Sequence, residues 1–253
     1  LKVTLLGTGT SQGVPVIGCS CKVCKSTNPK DTRLRCSVLI ESDTTTVIID
    51  SGPDFRTQCL RANVQKLDAV IFTHEHRDHL AGLDDVRPFN YKQNKDMEVY
   101  CTKQVETSLK QQYAYIFAGL SYPGIPKVNI NIIEDEAFQI GDLSITPIKV
   151  LHHKLPVLGF RVGDFTYITD ANYISEQELS KTLNSRILVL NALHHNEHIS
   201  HFNLEQAIEK AKEINAEHTY FTHVSHQMGL FKEVNPKLPQ SISLAFDGLS
   251  FQL

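Results

Sequence analysis

The sequence predicts a single α/β domain, on three observations. Short apolar runs of strand length alternate with helical stretches along the whole chain. No repeat, low-complexity tract or flexible linker interrupts that alternation. At 253 residues, 41% of them hydrophobic and 21% charged, the chain can bury one large core without crosslinks.

The elements follow in order. "KVTLLG" is a strand feeding the Gly-rich "GTGTSQGVPVIG". A cysteine-rich loop at about 13–35 comes next, and "CSVLIES" and "TTVIID" form a hairpin across "SDTT". "PDFRTQCLRAN" begins with Pro in a first helical turn, and "DAVIFT" is a buried strand. "TKQVETSLKQQYAYIFAGL" reads as one long helix ending near Gly119, closed by the turn "SYPGIP". In the second half, "LSITPIKV", "LGFRVG", "FTYITD" and "RILVLN" are strands and "SEQELSKTL" is a helix. A second helix, "NLEQAIEKAKEI", is capped by Asn203. The strand "HTYFTH" precedes the closing segment "SISLAFDGLSFQL".

The formal net charge of −3 provides no general attraction for polynucleotides, which disfavours nucleic acid as a partner. No apolar stretch approaches the ~20 residues of a membrane span, and the opening segment lacks a hydrophobic core followed by a cleavage site. A cytoplasmic, non-membrane protein is expected. Six cysteines in a chain of this length are not a disulfide framework. Cys19, Cys21 and Cys24 share one loop, while Cys36, Cys59 and Cys101 are scattered and read as small buried hydrophobes.

The histidines recur at the C-terminal ends of strands, where α/β folds assemble sites. "THEHRDHLAGL" crowds His74, His76, Asp78 and His79 behind the run "LDAVIF". His152 and His153 follow "ITPIKV", Asp170 follows "FTYIT", and His223 follows "TYFT". Imidazole nitrogens and carboxylate oxygens suit Zn²⁺, Mn²⁺ and Fe. Alternation in "HEH" points both imidazoles the same way, leaving Asp78 and His79 free to turn toward a second ion. His218, in the polar "NAEHTY", is expected to be a surface or packing residue.

The motif His74-x-His76-x-Asp78-His79, with His152, Asp170 and His223 in order, resembles the metallo-β-lactamase superfamily over nearly the whole chain. The resemblance implies a four-layer αββα sandwich with a two-metal site at one edge. It assigns His74, His76 and His152 to one ion, Asp78, His79 and His223 to the other, and Asp170 to a bridge between them. Asp50, ending "TTVIID", matches the superfamily's early strand-end aspartate, which supports the ligands from behind. The chain departs from the pattern at "VLHHKLPVLGFR", which has His153 where the superfamily has Gly. His152 is taken as the ligand because that register needs no gap.

Other residues narrow the chemistry. An aspartate at position 170, where antibiotic-hydrolysing members carry cysteine, argues against lactam hydrolysis. "HISHFNLEQA" resembles the segment through which phosphodiesterases of the superfamily, tRNase Z among them, supply an extra histidine. Cys19-x-Cys21-x-x-Cys24 together with "THVSH" resembles the PhnP group of phosphoribosyl cyclic phosphodiesterases, in which three cysteines and a histidine hold a structural zinc. That places Cys19, Cys21, Cys24 and His226 on one ion, with free thiols or Cys36 as a fourth ligand the alternatives. Three thiolates and one imidazole make a closed tetrahedral set that orders a loop otherwise without structure.

These features lead to a metal-dependent hydrolase of a small, cyclic phosphodiester. Two cations can lower the pKa of a water and clamp the oxygens of an in-line displacement, with Asp78 and Asp170 at the attacking oxygen. His201, outside the metal shell, is the expected general acid for the leaving oxygen, with His198 its rival. The cofactors implied are two divalent ions, Zn or Mn, and one structural Zn. The alternatives are a tRNase Z-like nuclease, a glyoxalase II-like thioester hydrolase and a metal-stabilised binding protein without turnover. A small phosphodiester is the expected partner, and a homodimer is compatible with the sequence.

Overall fold

Val47, Ile48 and Ile49 are all fully buried, so consecutive residues of one strand point into two apolar layers. That is the mark of a sheet covered on both faces. The computed structural model describes residues 1–119 and 122–253. Its first sheet contains β1 (Lys2–Gly7), β2 (Ser37–Glu41), β3 (Thr46–Ile49), β4 (Ala69–Ile71), β5 (Met97–Cys101) and β6 (Val128–Ile132). Its second contains β7 (Phe138–Ile140), β8 (Leu143–His152), β9 (Leu155–Val162), β10 (Phe165–Ile168), β11 (Tyr173–Ile174), β12 (Ile187–Asn191), β13 (His218–Thr222) and β14 (Ile242–Leu244). The last strand, β15 (Ser250–Gln252), returns to the first sheet and pairs with β1.

The strand orders are β15-β1-β2-β3-β4-β5-β6 and β11-β8-β9-β10-β12-β13-β14, with β7 paired to β8. Val3, Val38, Ile49 and Ile71 from the first sheet meet Ile145, Phe160, Phe165, Tyr167 and Val189 from the second in one central core. Leu6, Leu39, Ile48 and Val70 face outward against Phe55, Leu83, Val105 and Leu109. On the far side, Ile148, Leu188 and Phe221 pack against Ala207, Ala211 and Ile214 of the helix Leu204–Ile214. Helix, sheet, sheet and helix stack as the four-layer αββα sandwich, one domain in a single chain.

The sheets carry the site because of how their strands are paired. β3, β4 and β5 run parallel to one another, as do β10, β12 and β13. Their C-terminal ends therefore emerge at one edge, and all but β5 hand the chain to a loop bearing histidine or aspartate. The helix Leu204–Ile214 starts where expected: Asn203 accepts from the Gln206 amide, and the Gln206 side chain accepts from the Asn203 amide.

Two local expectations differ. The long helix is two, Lys103–Gln112 and Ala114–Phe117. Tyr113 interrupts it, having turned inward so that its hydroxyl donates to the Leu80 carbonyl at 2.9 Å. Leu120 and Ser121, which close that helix and open the "SYPGIP" turn in the sequence reading, lie outside the described residues. "SEQELSKTL" is helical only over Glu176–Ser180. "SISLAFDGLSFQL" divides into β14 and β15, one in each sheet. Among the described residues no helix is long and apolar enough to cross a membrane.

Candidate metal centre

His74, His76, Asp78 and His79 leave the end of β4 in two steps. His74 and His76 lie on irregular chain with ring centroids 4.6 Å apart. Asp78 and His79 sit on the short helical turn Arg77–Leu80. Close backbone contact holds this loop in place: a Cβ on Gly52 would meet the Asp78 carbonyl oxygen at 2.0 Å. The Gly82 amide also donates to the Ser51 carbonyl at 2.7 Å.

Asp50, fully buried at the end of β3, orients two of the imidazoles. Its carboxylate accepts from the Thr73 amide at 2.9 Å and from His79 Nδ1 at 2.7 Å. It also accepts the Thr73 hydroxyl at 2.9 Å, so that hydroxyl oxygen is left to accept from His74 Nδ1 at 2.9 Å. His152 Nδ1 donates to the Ser200 carbonyl at 2.8 Å. In all three rings Nδ1 carries the proton and Nε2 is the free donor atom.

Those free atoms converge. His79 Nε2 is 3.2 Å from Asp78 and 3.4 Å from Asp170, and His223 Nε2 is 3.0 Å from Asp170. Donor atoms lie within 4.8 Å of one another in three groups: His74, His79 and Asp170; Asp78, His79 and His223; His152, Asp170 and His201. His76 stands beside them, its ring 5.1 Å from that of His152. His74 Nε2, His79 Nε2, both nitrogens of His223 and His201 Nδ1 are buried without a hydrogen-bond partner. Burying that many unsatisfied polar atoms is costly unless something coordinates them. A nitrogen and oxygen donor set with orphaned, converging atoms fits divalent cations.

The electrostatics agree with that fit. Burial pushes the Asp170 carboxyl up, but His223, His79 and His74 outweigh it and hold it well below the usual carboxylate range. Burial opposes a charge on His79, yet Asp50, Asp78 and Asp170 raise it well above the ordinary imidazole value, drawing positive charge to its Nε2, where a bound cation would take the place of a proton. Burial, with His79 alongside, lowers His74 well below that value. Burial and the neighbouring His223 push His201 down to about 2.

Asp170 is held by a neighbour that sequence reasoning missed. The backbone takes a left-handed turn at Asp170 (φ 57°), so the ladder between β10 and β12, which ends at Ile168 and Leu190, cannot continue. The Asn191 side chain replaces it, its Oδ1 accepting from the Ala171 amide at 2.7 Å and its Nδ2 donating to the Ala171 carbonyl at 2.9 Å. A left-handed backbone also explains His153 (φ 57°) in the superfamily's glycine position. Its side chain is exposed, and His152 is the histidine inside the cluster.

His201 is buried, stacked on His223 at 4.6 Å and 4.5 Å from His152. Its Nδ1 is 3.9 Å from Asp170. His198 is exposed, with its ring 5.1 Å from that of His201. His194, which sequence reading did not single out, is buried with its Nδ1 unpartnered and its ring 5.8 Å from that of His198. Its position just past the end of β12 was the signal.

A second cluster lies apart. Cys19, Cys21 and Cys24 Sγ are 3.3, 3.4 and 3.6 Å from His226 Nδ1. A hydrogen bond from the Cys24 amide lowers the Cys21 thiol to about 6, and burial pushes Cys24 up to about 11. Three sulfurs and a nitrogen at these distances fit a closed tetrahedral site. Cys36 stands elsewhere, its thiol 3.4 Å from the Gly9 carbonyl and 3.4 Å from the Thr222 hydroxyl, and burial raises it to about 12.

An αββα sandwich with a buried His/Asp cluster where its parallel strands end defines a class, the metal-dependent hydrolases. The family model described as a β-lactamase superfamily domain matches residues 45–224, and the chain belongs to this metallo-β-lactamase superfamily. A solved structure described as a new diphosphatase from the PhnP family is 39% identical, with a TM-score of 0.93, and the match covers 100% of this chain and 97% of that one. Zn²⁺-bound PqqB from Methylobacterium extorquens, 18% identical with a TM-score of 0.80 and full coverage of both chains, shares the fold. An octanoyltransferase of Porphyromonas gingivalis is 38% identical over 252 residues, 98% of this chain and 51% of that protein. A ribonuclease Z of Staphylococcus epidermidis is 26% identical over 120 residues, 46% of this chain and 38% of that protein. The chain thus spans about half the length, or less, of these curated relatives.

Two outcomes test the clusters separately. Cys21→Ser is expected to lose one zinc per chain by metal analysis and to melt at lower temperature, and unchanged zinc content would remove that site. Gly52→Ala should displace Asp78 and weaken Mn²⁺ affinity at the His/Asp cluster by about tenfold or more, leaving the cysteine site's zinc in place. Wild-type Mn²⁺ affinity in that variant would show the contact does not position Asp78.

Proposed function

We propose that the chain hydrolyses a small, cyclic phosphodiester with two divalent ions, Zn or Mn, in the His/Asp cluster. The observation that carries its phosphate chemistry is full-length similarity, at 39% identity, to a protein described as a PhnP-family diphosphatase, and the cyclic phosphodiester is the finer part of this proposal. His74, His76 and His152 would hold one ion, Asp78, His79 and His223 the other, with Asp170 serving both. Bound there, the ions would supply Lewis acidity, lowering the pKa of a water and neutralising phosphate charge.

The remaining steps belong to the chain. Asp50, directly and through Thr73, keeps the Nε2 atoms of His79 and His74 available to the ions. Asp78 and Asp170 accept a hydrogen bond from the attacking water and orient its lone pair toward phosphorus. As the P–O bond breaks, His201 delivers a proton to the leaving oxygen. The negative phosphodiester beside its ring favours the imidazolium, opposing the effect of burial. His198, exposed and a ring's width away, is placed to exchange that proton with solvent. Cys19, Cys21, Cys24 and His226 would hold a structural zinc that braces the segment carrying His223, three residues from His226. A homodimer remains compatible with this reading, and a cytoplasmic location suits it.

A nuclease is the second reading, favoured by the ribonuclease Z match. Against it, the helices Lys103–Gln112 and Ala114–Phe117, with Tyr113 between them, pack Leu109, Tyr113, Ile116 and Phe117 onto the outer core instead of standing out as an arm to hold RNA. The octanoyltransferase name belongs to a protein about twice as long as the matched segment, so acyl chemistry enters only as an arm of the test.

A turnover panel on chelator-stripped protein with Mn²⁺ or Zn²⁺ restored separates the readings. Cyclic phosphate and bis-aryl phosphate should turn over, and precursor RNA, thioester and lactam should not. Turnover of RNA alone or thioester alone would overturn the proposal. His201→Ala should retain its ions and lose ~10²–10⁴-fold in kcat on an alkyl or ribose leaving group. On a nitrophenyl ester, which expels a stable anion, it should be nearly normal. Equal losses on both would withdraw the acid role from His201.

A further inference from the structure

Three segments meet at the His/Asp cluster: residues 151–153 at the end of β8, 170–172 after β10, and 194–203 after β12. The third carries His201, and its outer part, His195–Ile199, is exposed. A proton donor on such a loop needs its distance from the reacting oxygen fixed by something other than core packing.

We propose that Asn172 is a positioning residue, holding the His201 loop in register with the loops that carry His152 and Asp170. Its backbone amide donates to the Leu151 carbonyl at 2.8 Å. Its Oδ1 accepts from the His153 amide at 2.8 Å, and its Nδ2 donates to the Ile199 carbonyl at 3.0 Å. One side chain therefore spans both neighbouring loops from a residue two beyond Asp170. A carboxamide suits this because it has a donor and an acceptor on one rigid plane.

Two other ties of the His201 loop share the same ground. The Phe202 amide donates to the Ala171 carbonyl at 2.8 Å, and His152 Nδ1 donates to the Ser200 carbonyl at 2.8 Å. Ala171 is itself fixed by the buried Asn191. The Leu193 amide also donates to the Phe202 carbonyl at 3.0 Å, so residues 199–202 hang from Ala171, Asn172, His152 and Leu193, and among these Asn172 is the one contributing a side chain that is neither in the candidate metal cluster nor buried. Removing it leaves the cluster intact and frees the segment that aims His201.

This inference rests on the acid role given to His201, so its test has a part that needs no turnover. In Asn172→Ala, amide exchange across residues 199–202 should rise about tenfold or more while β8 and β9 stay protected. The His153 amide should also exchange faster in Asn172→Ala. It should stay protected in Asn172→Asp, which keeps the acceptor but places a carboxylate oxygen against the Ile199 carbonyl. Mn²⁺ affinity of the variant should stay within about twofold of wild type, since the ligand positions are held by other contacts. Turnover of an alkyl phosphodiester should fall ~10–100-fold in kcat with KM unchanged, and turnover of a nitrophenyl ester much less. Unchanged exchange at 199–202 would overturn the positioning role whatever the substrate. Faster exchange with a wild-type ratio of alkyl to nitrophenyl kcat would reduce Asn172 to an ordinary structural contact. Failure of the wild-type protein to cleave any phosphodiester would instead count against the function, leaving the exchange result to decide on Asn172.

Discussion

The carboxylate of Asp50 is the point on which the rest of the site depends. It is fully buried, and an isolated carboxylate there would be very costly. Its partners are the Thr73 amide, the Thr73 hydroxyl and His79 Nδ1. Satisfying that one group orients the Nε2 atoms of two imidazoles, His79 directly and His74 through Thr73. The arrangement exists because β3 and β4 pair in parallel, Ile49 beside Ile71, which brings Asp50 and Thr73 to the same edge. The central core between the sheets keeps both strands in place.

Around Asp50 the backbone takes an unusual form. Asp50, His153, Asp170 and His223 all have φ between 56° and 63°, a region L residues other than glycine seldom occupy. Each lies where a strand stops and its loop begins, so rigid sheet on one side and tight hydrogen bonds on the other enforce the geometry. Left-handed residues concentrated in one place mark a site whose ligand positions are set before any ion arrives. Cations would then find donors that need no rearrangement, and the orphaned nitrogens would gain the partners they lack.

Much of this was legible in the sequence because strand-end loops advertise themselves. His74, His76, Asp78 and His79 directly follow an apolar run, and no core role accounts for so many ionisable groups together. Cys19, Cys21, Cys24 and His226 were harder, since 202 residues separate Cys24 from His226, and only resemblance joined them before the structure brought them together. Other features left no pattern to read. Asn172 and Asn191 act through contacts with chain 19 to 27 residues away, and an asparagine near a strand end looks like any turn residue. Gly52 matters because the Asp78 carbonyl lies against it, a tertiary fact. Tyr113 broke the long helix for a hydrogen bond to Leu80, which local propensity could not anticipate.

The most direct test of the account is the position and number of bound ions. Anomalous diffraction at the zinc and manganese edges, on crystals of protein purified without chelator, would locate them. Three peaks are predicted: two within about 3.5–4 Å of each other among His74, His76, Asp78, His79, His152, Asp170 and His223, and one among Cys19, Cys21, Cys24 and His226. A single peak in the His/Asp cluster, from protein that still cleaves phosphodiesters, would contradict the two-ion site.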